Sequence, residues 1–176
     1  MPETDTSLNV EAAVSLASVV AVCISPGGVP KRPVNQAELT LEGLVGDGHN
    51  HEKHRSLDRA VTVQDIELIE QIASEGYPVG PGTMGENITV RGLNVQGLSP
   101  GDRLHFENGV VLELASIRKP CYVLNAIHPE LEHAAVGRCG FLCRVIETGV
   151  FAAGQRVLVE HLVSGSSDSL NSLGRV

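Results

Sequence analysis

A mostly β fold, either a sandwich or a closed barrel, follows from three observations on this 176-residue chain. It breaks into short apolar runs of strand length, rich in Val and Leu. Turn punctuation separates them, including Ser25-Pro26-Gly27-Gly28, Ser99-Pro100-Gly101-Asp102 and Asn108-Gly109. Only one segment carries a helical period. Many short strands with few helices, at this size, argue against a doubly wound nucleotide-binding fold. The stretch Gly80-Pro81-Gly82-Thr83-Met84-Gly85 agrees, because it has the spacing of none of the phosphate motifs.

The elements follow in order. Residues 1–13 are polar and are expected as a tail, residues 14–163 as one domain, and the Ser/Gly-rich residues 164–176 as a second tail. The apolar stretch 14–24 lacks a basic flank and is too short to span a bilayer, so a core strand is expected over 18–25. Further strands are expected over 37–44, 60–63, 87–90, 103–107, 110–117, 141–147 and 156–160. Asn108-Gly109 between two of them is a hairpin signal. From residue 64 to about 75, Ile66, Ile69 and Ile72 recur every three residues and Leu68 completes the stripe, which predicts an amphipathic helix stopped by Gly76.

Composition narrows the function. A net charge of -8, no Trp and few other aromatics argue against a general nucleic-acid binder, which needs a basic face or stacking platforms. Four cysteines with no secretory signal ahead of them point to a reducing, cytoplasmic setting and no membrane association. Cys139 and Cys143 lack a second close cysteine pair, so they read as core residues rather than a structural zinc site. The composition leaves room for a homo-oligomer.

The chemistry concentrates in two places. Arg118-Lys119-Pro120-Cys121 puts a thiol beside two positive charges, and nearby cations favour the thiolate, the form that ligates metals or accepts sulfur. Pro120 cannot donate to a ladder, so Cys121 is expected just past a strand end. If Pro120 headed a short helix, Cys121 would lie in its first turn. The second concentration is Gly46-Asp47-Gly48-His49-Asn50-His51-Glu52-Lys53-His54-Arg55, followed by Asp58 and Arg59. His49, His51 and His54 have spacing that would suit a zinc hydrolase, although Lys53 would oppose a second metal. The same loop, with Arg55 and Arg59, would also donate hydrogen bonds to an anion. Its bland alternative is a solvated polar loop.

Three smaller features complete the set. Glu86 and Asn87 directly precede a strand, which suits a turn; a buried Glu86 would alternatively serve as a proton donor. Asp47 lies between two glycines, a common turn position. Arg138, before the last long strand, would clamp phosphate bidentately or form a surface ion pair.

Four phrases in fixed order give this chain a resemblance to a known family. They are Gly46-Asp47-Gly48-His49 with its basic continuation to Arg59-Ala60-Val61; Gly85-Glu86-Asn87-Ile88-Thr89-Val90 with Arg91-Gly92-Leu93; Pro100-Gly101-Asp102-Arg103-Leu104; and Arg118-Lys119-Pro120-Cys121. Together with Arg138-Cys139-Gly140-Phe141-Leu142-Cys143, over about residues 18–160, the chain resembles the MOSC family, found at the C-terminus of molybdenum cofactor sulfurases and as small stand-alone proteins. The resemblance implies a closed or nearly closed β-barrel with a few short helices. It also implies that Cys121 carries sulfur or ligates the molybdenum of the pterin cofactor, with Glu86 as a second catalytic candidate.

Asp47, His49, His51, His54, Arg55, Arg59, Asn87, Arg118, Lys119 and Arg138 are the residues expected to bind the cofactor. Some relatives reduce small N-hydroxylated compounds, which here would require a separate electron donor; a carrier would instead need a sulfur donor protein. No pyridoxal-phosphate lysine module is present. Gly154-Gln155 stands where the family pattern has Gly-Asp, which affects only a turn.

Overall fold

The computed structural model describes residues 17–48 and 56–162. Eleven strands and two short α-helices account for most of the regular structure: β1 (Ser18–Ile24), β2 (Arg32–Val34), β3 (Gln36–Thr40), β4 (Gly43–Leu44), β5 (Val61–Asp65), α1 (Ile66–Ser74), β6 (Ile88–Arg91), β7 (Arg103–Phe106), β8 (Val111–Ile117), α2 (Leu131–Ala134), β9 (Phe141–Glu147), β10 (Gly149–Ala152) and β11 (Val157–Glu160). Eight of them form one sheet in the order β11-β7-β8-β9-β5-β6-β1-β2, and β10-β3-β4 form a second. The mostly β expectation holds. Among the described residues closure is carried no further than an isolated bridge between Ser18 and Arg156, with β11 and β2 as the ends of the large sheet.

Each long apolar run became a strand where the sequence placed it, with one split. Residues 37–44 are two strands, because Thr40 turns the chain: its hydroxyl donates to the Gly43 carbonyl and accepts from the Glu42 amide. The Asn108-Gly109 turn joins β7 to β8 as expected, with reciprocal bonds between Phe106 and the turn. β2 went unread because it contains Pro33, and it lies at the end of the sheet, where a missing donor is tolerated. β10 was unread because only Thr148 separates it from β9.

The helix lies where its period put it. Ile66, Ile69 and Ile72 are its buried face, and Glu75 and Gly76 end it. It connects β5 to β6, which pair in parallel with Val63 opposite Ile88 and Gln64 opposite Thr89. A parallel pair needs such a crossover, so this is a βαβ unit inside an otherwise antiparallel sheet. Asp65, the residue before α1, does not cap it; its carboxylate accepts instead from the Val95 and Gln96 amides.

The main core lies among Val22, Val63, Ile88, Leu112, Leu114 and Phe141 with their neighbours, all buried. Phe106 of β7 meets Phe151 of β10 edge to face, centroids 4.7 Å apart, tying the large sheet to the small one. A second apolar cluster, Ile72, Met84, Leu124, Leu131, Ala135 and Cys139, packs α1 against the segment between β8 and β9. The candidate site lies beside this second cluster. No helix among the described residues is long and apolar enough to cross a membrane.

Candidate functional site

The site begins where β8 ends. Beyond Ile117 the chain keeps one more bond, from the Arg118 amide to the Gly140 carbonyl at 2.9 Å. Gly140 has φ +72°, and a Cβ there would come within 2.0 Å of the Val63 carbonyl oxygen, so no other residue fits between β9 and β5. Cys121 follows in an extended conformation (φ -139°, ψ 163°), and its carbonyl accepts from the Leu124 amide to open a 3₁₀ turn, Tyr122–Ala126. Cys121 is therefore just past the strand end, as the sequence indicates. It precedes the helical turn rather than lying in its first turn, because Pro120 fixes only its own φ and leaves Cys121 extended.

Of the four cysteines, Cys121 is exposed and Cys23, Cys139 and Cys143 are buried; all four are free. Burial pushes the Cys23 thiol up to about 12 and raises Cys143 as well. It also raises Cys139, an effect opposed by Arg118 and Arg138 and increased by Glu86 and Cys121. Cys139 thus feels the charges of Arg118, Arg138 and Glu86 together.

Arg118 turns inward. Its Nη2 donates to the Met84 carbonyl at 2.7 Å, passing Gly85, whose hypothetical Cβ would lie 3.1 Å from that nitrogen and 2.8 Å from Val29 Cγ1. Glu86 is fully buried, and its Oε1 accepts from the Gly82 amide at 2.5 Å and from Thr89 Oγ1 at 2.9 Å. Burial pushes its carboxyl above the usual range, against the Gly82 amide, its own amide, the Thr89 hydroxyl and the Arg118 charge. Gln64, opposite Thr89 on β5, donates from Nε2 to the Arg138 carbonyl at 2.7 Å and lies 3.7 Å from Met84 Sδ. Among the described residues, Gln64 Oε1, Glu86 Oε2 and Arg118 Nη1 are buried without a protein hydrogen-bond partner.

Asp47 and Asn87 belong to one network. The Asp47 carboxylate takes both contacts of the Lys31 ammonium, the Ser25 amide and the Asn87 Nδ2 group. Asn87 also accepts from the Thr62 amide and donates to the Cys23 carbonyl. Arg138 grips Glu75 with both terminal nitrogens and the Ala134 carbonyl with Nε at 2.9 Å; the Glu75 hydrogen bond holds the guanidinium further toward its charged form. Lys119 is exposed. Exposed Arg59 lines an open depression with Ser56, Asp58, Ala115 and Ser116. His49, His51, His54 and Arg55 lie outside the described residues, so the zinc alternative falls there too; among the described residues no group of three or more His, Cys, Asp or Glu is placed to hold a metal ion.

Sequence reading missed Gln64, Lys31, Thr62 and Met84. One signal was available: Val61, Val63 and their neighbours form a strand buried on both faces, and the polar Thr62, Gln64 and Asp65 within it are buried too. Buried polar side chains in such a run must have partners.

The chain is 31% identical over 136 residues to the Bacillus subtilis protein YflK, which covers 72% of this chain and 60% of that protein. It is 27% identical over 123 residues to a Gibberella moniliformis protein named Reductase, covering 65% of this chain and 22% of that one. The chain thus spans less than two thirds of either relative. In fold it is similar to YiiM from Geobacillus stearothermophilus, with a TM-score of 0.70 at 23% identity over 85% of this chain and 77% of that one. Residues 50–158 match the MOSC domain, and this chain belongs to the MOSC domain family.

Proposed function

We propose that this chain binds a molybdenum cofactor, or carries sulfur, through the Cys121 thiolate. The observation that carries the reading is the exposure of Cys121 beside Arg118 and Lys119, while burial removes the other three thiols from solution chemistry. The donor set fits the group the family implies. A soft sulfur suits a metal with sulfur ligands, and the phosphate of an anionic pterin requires cations in a protein of net charge -8. Four free cysteines also suit a reducing compartment such as the cytoplasm.

In this reading Cys121 holds the metal or the transferable sulfur, and Lys119, Arg118 and Arg59 neutralise the anion, with His49, His51, His54 and Arg55 as further donors. Asp47 and Asn87 act by fixing the segments around Cys23 and Thr62. Arg138 would have to leave Glu75 to clamp phosphate directly. Glu86, whose carboxyl burial pushes above its ordinary range, is the candidate to move a proton. Molybdenum, when bound, supplies two-electron exchange with a small N-oxygenated substrate, and electrons come from a separate donor protein. The name of the fungal relative favours this redox use over simple carriage.

Protein from a cofactor-producing host is expected to contain molybdenum and fluorescent pterin in near-equal amounts, and Cys121→Ser to lose the molybdenum. A Cys121 persulfide without molybdenum would select the carrier. Neither metal nor persulfide on the wild-type protein would overturn both readings.

A further inference from the structure

We propose that Gln64 Oε1, Glu86 Oε2 and Arg118 Nη1 enclose a site for one buried water molecule, which makes Gln64 a positioning residue for Arg118. Two of the three side chains meet at Met84, and the Arg118 charge acts on the third, Glu86. Arg118 binds the Met84 carbonyl, Gln64 touches the Met84 sulfur, and Glu86 follows two positions later. The Glu86 carboxylate is held by Thr89, which lies directly opposite Gln64 in the β5/β6 pair. Gln64 and Glu86 are both fully buried, so bulk solvent does not satisfy them.

The chemistry of the three atoms selects the occupant. Gln64 Nε2 is committed to the Arg138 carbonyl, which fixes Oε1 as the acceptor facing the other way. The site therefore offers one cationic donor, one carboxyl oxygen and one amide oxygen. Water matches this set, accepting from Arg118 and donating to the two oxygens, and buried waters commonly make about three such bonds. An anion would be repelled by the two oxygens, and a cation by the guanidinium. Leaving three buried polar atoms unpaired would instead forfeit the hydrogen bonds that water gives them in the unfolded chain.

The water links Gln64 to the charge that stands three residues before Cys121. Removing the amide should release that charge without touching the thiol. This holds whether or not Cys121 binds a metal, so its test is separate from the cofactor test.

A crystal structure of the unsubstituted protein is expected to show one ordered water in contact with all three atoms. Direct pairing of Arg118 Nη1 with Glu86 Oε2, with no water between them, would overturn the proposal. The map of the wild-type protein decides this even if a variant fails to fold. The positioning role is read from the rate ratio of iodoacetate to iodoacetamide at Cys121, which reports local positive charge. Gln64→Met should lower that ratio roughly twofold to fivefold, toward the value for Arg118→Ala, as for a displaced charge near the surface. A ratio unchanged in Gln64→Met but lowered in Arg118→Ala would show that Gln64 does not position the guanidinium.

Discussion

Gly85 decides whether Arg118 can reach the Met84 carbonyl. Its φ of +88° lies in the left-handed region, and any Cβ would press on Val29 Cγ1 at 2.8 Å and on the guanidinium at 3.1 Å. Two costs therefore coincide in Gly85→Ala: about 1–2 kcal/mol of backbone strain and the displacement of Arg118. The variant is expected to lose about 2 kcal/mol or more in denaturant unfolding, and to lower the iodoacetate preference of Cys121. A stable variant with unchanged thiol selectivity would show that Arg118 does not depend on this approach. Cys121 stood out as the candidate in the sequence because thiol, cations and proline are adjacent in the chain. Gly85 was readable only as part of a phrase, since its clash is with Val29 and Arg118, which are distant in sequence.

At the scale of elements, Asn87 is the point where β1, β5 and the Asp47 turn meet. It is buried, and its side-chain amide serves the Thr62 amide, the Cys23 carbonyl and the Asp47 carboxylate. Asn87→Ala would take a partner from each of those three groups, although Lys31 and Ser25 still hold Asp47, and is expected to cost roughly 1–3 kcal/mol. Arg144 makes an instructive control: it joins Asp58 to Glu113, but all three side chains are partly exposed. Arg144→Ala should cost less than about 1 kcal/mol. Equal losses for the two variants in urea unfolding would refute the ranking.

The contrast explains what sequence could show of the elements. Strands and α1 were legible because apolar period and turn residues are local. The parallel pairing of β5 with β6, and the Asn87 network, are set by which segments lie side by side, which no local pattern encodes. The β10–β11 turn was legible in part: Gln155, where the family pattern has Asp, closes it by bonding the Ala152 amide and the Val150 carbonyl.

For the whole molecule, buried carboxyls give stability a definite dependence on pH. Burial is the largest influence on both Glu86 and Asp65, and it raises both above their ordinary values of 4.5 and 3.8. A carboxyl whose folded pKa is raised costs nothing below its unfolded value, where both states are protonated. As pH rises past that value the unfolded chain releases the proton first, so stability falls until the folded group also ionises. Glu75, Asp102 and Glu107 act oppositely: bonds from Arg138, from the Ser99 and Leu162 amides, and from Arg156 lower them, so their contribution is lost on acidification. The two sets overlap in the wild-type curve, but Glu86→Gln isolates one group while keeping the oxygen that Gly82 and Thr89 hold. The stability of Glu86→Gln minus that of wild type should be flat below pH 4.5. Above that it should rise by at most about 1.4 kcal/mol per pH unit. Exchanging the neutral carboxyl for an amide adds a constant offset, so the shape of the difference is the measured quantity, from urea unfolding at closely spaced pH values. A difference curve that stays level across the whole range would mean that Glu86 ionises normally in the folded protein, and would remove it as a candidate to hold a proton in the interior.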